Sequence, residues 1–97
     1  MTTAAIAFDA ELPWQKAGSV ALRLEPFGAL VYSFSTRKLS FLKSKQLVSV
    51  VETLAGHPSA RAAIEASGVP EAQWPAYVRA LADLARSQMI EPRETSA

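Results

Sequence analysis

The hydrophobic pattern of this chain changes period once, at Ser44, and that change constrains the fold more than any other feature. Before it, Val20, Leu22 and Leu24 alternate with Ala21 and Arg23, the two-residue repeat of a half-buried strand. Ala29 to Phe34 is rich in β-branched and aromatic residues, with Leu30, Tyr32 and Phe34 on one face. Lys38 to Lys43 reads as a third strand, with Leu39 and Phe41 on one side and Ser40 and Leu42 on the other. After Ser44, Leu47, Val48, Val51 and Leu54 recur at helical spacing.

The punctuation agrees with the pattern. Glu25-Pro26-Phe27-Gly28 places proline at the second position of a tight turn and glycine at its fourth, and Ser35-Thr36-Arg37 supplies a second short connection. Ser44 is placed to cap the first helix, and Gly56 with Pro58 ends it. Ser59 caps a second helix through Ala66, stopped by Gly68 and Pro70. A third runs from about Trp74-Pro75 to Gln88, with Tyr77, Val78, Leu81, Leu84 and Ala85 as its apolar stripe. Three strands followed by three helices predict an α+β domain, an antiparallel meander with helices on one face.

One domain accounts for all 97 residues. Its predicted extent is residues 19–91. Residues 1–18 read as an irregular N-terminal arm, broken by Pro13 and Gly18 and fastened by Phe8 and Trp14, and residues 92–97 as a flexible tail.

Catalysis finds little support. The chain has no cysteine, which removes disulfides, thiolate nucleophiles and cysteine-bound metals. Its one histidine, His57, sits between Gly56 and Pro58 and reads as a helix-end residue without catalytic or metal-binding partners nearby. No phosphate loop, zinc-protease helix, nucleophile elbow or calcium loop occurs. The expectation is a protein with no enzymatic activity, no cofactor and no metal. No apolar run approaches the ~20 residues that span a bilayer, and no signal-peptide pattern precedes Asp9 and Glu11. A cytoplasmic protein without a membrane partner is expected.

A net charge of +1 does not make nucleic acid the default partner. The distribution carries more information. Arg37, Lys38, Lys43 and Lys45 fall within nine residues that hold no acid. Such a run can be a solvated face, a guard against edge aggregation, or a steering patch for an acidic peptide that joins the strand as an added edge. Those readings stay open on the residues alone. The alternative is a winged-helix DNA regulator, with Arg79 and Arg86 on its recognition helix. Asp83, four residues after Arg79 and three before Arg86, favours pairing within the helix and opposes phosphate.

Particular residue blocks narrow the choice. Pro13-Trp14, Val20 to Arg23, Glu25-Pro26-Phe27-Gly28-Ala29-Leu30 and Leu39-Ser40-Phe41-Leu42-Lys43-Ser44 resemble the mycofactocin-system peptide chaperones. These belong to the PqqD-like recognition elements for ribosomally made, modified peptides. The resemblance continues through Gly68-Val69-Pro70, Pro75-Ala76-Tyr77 and Leu81 to Met89-Ile90, about Pro13 to Arg93 in all. It implies a winged-helix-like domain without chemistry of its own. Such a protein binds the leader of a short acidic precursor peptide and presents it to a radical S-adenosylmethionine (SAM) maturase. In related elements the leader lies as an extra strand beside the third strand, in a groove shared with the third helix. Carried onto this chain, the strand wall is Lys38, Leu39, Ser40, Phe41, Leu42 and Lys43. The helix wall is Val78, Leu81, Ala82 and Ala85, with Arg79 and Arg86 at the rim. One departure stands out: Leu42-Lys43-Ser44-Lys45 and Gly56-His57-Pro58 replace an asparagine-containing step and an acidic-glycine turn. The docking mode therefore carries over better than individual contacts.

Overall fold

The computed structural model describes residues 8–93. Five strands and three α-helices occur among them: β1 (Trp14–Lys16), β2 (Val20–Glu25), β3 (Gly28–Ser33), β4 (Leu39–Leu42), α1 (Lys45–Thr53), α2 (Ala60–Ala66), α3 (Trp74–Arg86) and β5 (Ile90–Pro92). Strands β2, β3 and β4 form an antiparallel sheet in that order, and β1 pairs with β5 in a separate antiparallel ribbon. The α+β architecture, with its three-stranded sheet and three helices, matches the expected class.

The meander follows from its turns. Pro26 and Phe27 connect β2 to β3, and Gly28 opens β3 at φ +153°. A Cβ there would lie 2.0 Å from the Leu42 carbonyl oxygen, so only glycine lets β4 approach this closely. The second turn closes with Arg37 donating its N–H to the Ser33 carbonyl at 2.8 Å and Ser33 donating to the Lys38 carbonyl at 2.9 Å. Ser33 is fully buried and its Oγ accepts from the Thr36 N–H, so a polar side chain under the sheet ties down the loop it precedes.

Both expected serine caps form. Ser44 Oγ accepts the Leu47 N–H at 3.0 Å, and Ser59 Oγ accepts the Ala62 N–H at 3.1 Å. Pro75 sits in the first turn of α3, where its missing N–H costs nothing. The core lies between the inner sheet face and the helices. Ala29, Val31 and Leu42 meet Val48, Val51, Ile64 and Leu81 there, and Trp14 seals one side.

Two expectations are corrected. The supposed irregular arm contains β1, and the supposed tail begins with the end of β5: Trp14 opposes Pro92 and Lys16 opposes Ile90. Trp14 is fully buried, its indole N–H donating to the Asp9 carbonyl at 2.8 Å and its ring stacking on Phe8 at 4.8 Å. Arg93 continues the clamp, donating to the Leu54 carbonyl at 2.9 Å and the His57 carbonyl at 2.7 Å. It thereby adds a charged donor to carbonyls at the end of the α1 segment, where the Leu54 carbonyl also accepts the His57 N–H at 3.2 Å. Residues 1–7 of the expected arm and 94–97 of the expected tail lie outside the described residues.

Candidate functional site

Among the described residues, strand β4 pairs with β3 alone, which leaves its other backbone edge open there. The Ser33–Lys38 hydrogen bond sets the alternation along the ladder. Ser40 and Leu42, opposite Val31 and Ala29, point their backbone groups inward to β3, while those of Leu39 and Phe41 face the open edge. Side chains alternate the other way. Leu42 is fully buried in the core, whereas Leu39 and Phe41 project from the outer sheet face at 52% and 55% exposure. The strand thus offers backbone donors and acceptors along one line and apolar side chains along another.

Beside this edge lies a cleft of about 370 Å³ between β4 and α3, lined by Leu39–Lys43 on the strand side. Leu47, Ala80 and Leu84 make its apolar floor, and Asp83 and Ser87 its polar helix side. A neighbouring hollow of about 230 Å³ shares Lys43, Leu47 and Ala80 and reaches Tyr77. There Ser44 Oγ and the Tyr77 hydroxyl lie 3.0 Å apart, holding the start of α1 against α3.

Of the expected strand residues, Leu39 to Lys43 line this cleft and Lys38 does not, while the helix residues along it differ from those expected. Ala80, Asp83, Leu84 and Ser87 line the cleft instead of Val78, Leu81, Ala82 and Ala85. Leu81 is fully buried, and Val78 and Ala85 pack against the core. Half-buried Ala82 is absent from the cleft wall. At 100° per residue, a shift of one or two positions moves a side chain from core to groove. Arg79 is exposed and outside the cleft lining. Arg86 pairs with Asp83, which keeps it at the cleft margin and partly neutralises the one carboxylate inside. Leu47 of α1 was missed; its half-buried state at a helix start gave no periodic signal distinct from the core stripe.

Charge is one-sided. Arg37, Lys38, Lys43 and Lys45 are exposed and form no ion pair among the described residues. Lys38 and Lys43 bracket the open strand. Among the described residues no cluster of three or more histidine, cysteine or carboxylate side chains could hold a metal ion, and no helix is long and apolar enough to cross a membrane.

Fold and cleft together describe a small α+β domain whose described residues leave a strand edge open beside a cleft. The chain belongs to the MftB peptide chaperone family, whose pattern it matches over residues 13–91. It is 51% identical over 87 residues to the peptide chaperone MftB of Mycolicibacterium smegmatis, covering 90% of this chain and 85% of that protein. Against the Mycobacterium ulcerans peptide chaperone MftB it is 49% identical over 88 residues, covering 91% and 81%. The Mycobacterium tuberculosis protein of the same name is 47% identical over 89 residues, covering 92% and 82%. No solved structure matches the chain. Family membership makes this a peptide chaperone, a class without catalytic activity.

Proposed function

We propose that the β4–α3 cleft binds the leader of a ribosomally made precursor peptide as an added strand. The protein then presents that peptide to a radical SAM maturase in mycofactocin biosynthesis, in the cytoplasm, using the PqqD-like, winged-helix-like docking mode. One observation carries the reading: the outward-facing backbone groups of Leu39 and Phe41 run beside a cleft with an apolar floor. A strand laid there meets the backbone edge and the side-chain pocket together.

The energetics require both. Two residues offering an N–H and a C=O each provide up to four backbone bonds, about 2–6 kcal/mol at about 0.5–1.5 kcal/mol apiece. Micromolar affinity needs about 8 kcal/mol, so apolar side chains on Leu47, Ala80 and Leu84 supply the difference. Lys38 and Lys43 favour acidic residues at the two ends of the bound segment. Asp83 disfavours an acid in the middle. The DNA-regulator alternative has no comparable support, since the helix face that would meet phosphate carries the Asp83–Arg86 pair.

Two variants at one residue test the strand mode. Leu39→Pro removes an edge-facing N–H without touching the β3 ladder, and proline is tolerated on edge strands. Leu39→Ala removes the side chain and keeps the donor. Fluorescence anisotropy with a labelled precursor leader should show the proline variant binding roughly tenfold more weakly than the alanine variant, about 1.4 kcal/mol. Equal affinities would contradict strand addition.

A further inference from the structure

Apart from Leu39 and Phe41, the outer face of the β2–β3–β4 sheet lies outside the peptide cleft, yet its β3–β4 part is apolar. An antiparallel sheet with one face to water ordinarily alternates apolar-in and polar-out. Here the inner face carries Ala29, Val31 and Leu42, and the outer face carries Leu30, Tyr32, Leu39 and Phe41. Leu30 opposes Phe41 and Tyr32 opposes Leu39 across the β3–β4 pair. Phe27 extends the patch at one end, its ring 6.2 Å from that of Phe41, and Phe34 at the other, 5.1 Å from Tyr32. These six side chains form one contiguous surface with Phe34 still 64% exposed. Patches of this kind mark protein contacts.

The border of the patch selects the occupant. Arg23 lies on the same face, opposite Leu30, with Glu25 as its ion-pair partner. Arg37, Lys38 and Lys43 lie at the ends of β4 with no ion pair among the described residues. A second copy docked with β4 over β4 would set these cations against one another, which costs several kcal/mol. The face fits a folded protein with an apolar centre flanked by carboxylates. It also adjoins the cleft, because Leu39 and Phe41 belong to both. An added peptide strand would continue the outer face, and every second side chain of the peptide would stand in its plane.

We infer that this outer sheet face is the surface on which the maturase docks, reading the patch and the bound peptide side by side. The inference rests on the proposed presentation of peptide to a maturase, and the test separates the two. Phe27→Ser and Leu30→Thr alter the patch on β3 and its turn and leave the β4 edge and α3 intact. Binding of the purified radical SAM maturase and of the labelled leader is measured separately, after circular dichroism has confirmed folding. The expected result is at least tenfold weaker maturase binding in both variants, with leader affinity within twofold of the parent. Unchanged maturase affinity in the folded variants overturns the assignment of the face, leaving presentation intact. A parent protein that binds leader but not maturase overturns presentation and this inference with it. A parent dimer in sedimentation equilibrium that Leu30→Thr converts to monomer overturns the inference in favour of a second copy.

Discussion

Gly28→Ala is the perturbation with the most local and calculable consequence. The added methyl carbon would stand 2.0 Å from the Leu42 oxygen, 3.0 Å from the Leu42 carbonyl carbon and 3.1 Å from the Ser44 nitrogen. An ordinary carbon–oxygen contact is about 3.3 Å, so the shortfall is roughly 1.3 Å. All three opposing atoms are backbone, and no flexible side chain can swing aside to relieve them. Leu42 is anchored in the core and Ser44 caps α1, so the end of β4 must retreat against both. Overpacking of this kind costs about 1–3 kcal/mol. The φ of +153°, a region L-residues rarely occupy, adds about 1–3 kcal/mol more. At about 4–8 °C per kcal/mol for a domain of this size, the combined cost of about 2–6 kcal/mol should lower the melting temperature by roughly 10–50 °C in a thermal circular-dichroism scan. Gly18→Ala is the control, since nothing lies within 4 Å of its Cβ position, and it should shift stability by no more than about 0.5 kcal/mol. A Gly28→Ala protein melting with the parent would refute the claim that this glycine sets the β3–β4 approach.

Other outcomes follow from single contacts. Arg93→Ala removes charge-assisted bonds to the Leu54 and His57 carbonyls and should cost about 1.5–3 kcal/mol in urea unfolding, with Arg93→Lys recovering only part. Arg37 holds φ +63° in the β3–β4 turn, so Arg37→Gly relieves about 1–2 kcal/mol of left-handed strain against about 0.5–1 kcal/mol of added chain entropy and should raise stability by about 0–1.5 kcal/mol by thermal melt. Ser44→Ala loses both the α1 cap and the tie to the Tyr77 hydroxyl and should cost about 1–2 kcal/mol in the same assay. Tyr77→Phe, which leaves the cap in place, should cost less.

The meander and the helices were legible because their signals are local. The Ser44 and Ser59 caps and the Gly68-Pro70 stop each act within four residues of the element they bound. The β1–β5 ribbon was not legible. Three residues are too few to establish a period, and pairing joins Gln15 to Glu91, a relation no window along the chain contains. At the site, alternation separated Leu39 and Phe41 from Ser40 and Leu42 but did not say which pair faces water. Leu30 and Tyr32 on the outer face are as apolar as Ala29 and Val31 on the inner one. The helix residues that line the cleft differ from the expected ones for a related reason. Ala80 and Leu84 face the cleft while Val78, Leu81 and Ala85 face the core, so α3 has apolar residues on two faces and composition does not rank them.

Strand addition at β4 is tested most directly by amide hydrogen exchange, read residue by residue by NMR with and without the precursor leader. Ser40 and Leu42 already bond to β3, so their exchange should change little. Leu39 and Phe41 face the open edge, and their exchange should slow by roughly tenfold or more once the peptide occupies it. Protection gained on β2, the opposite edge of the sheet, or unchanged exchange at Leu39 and Phe41 in the saturated complex, would contradict the account.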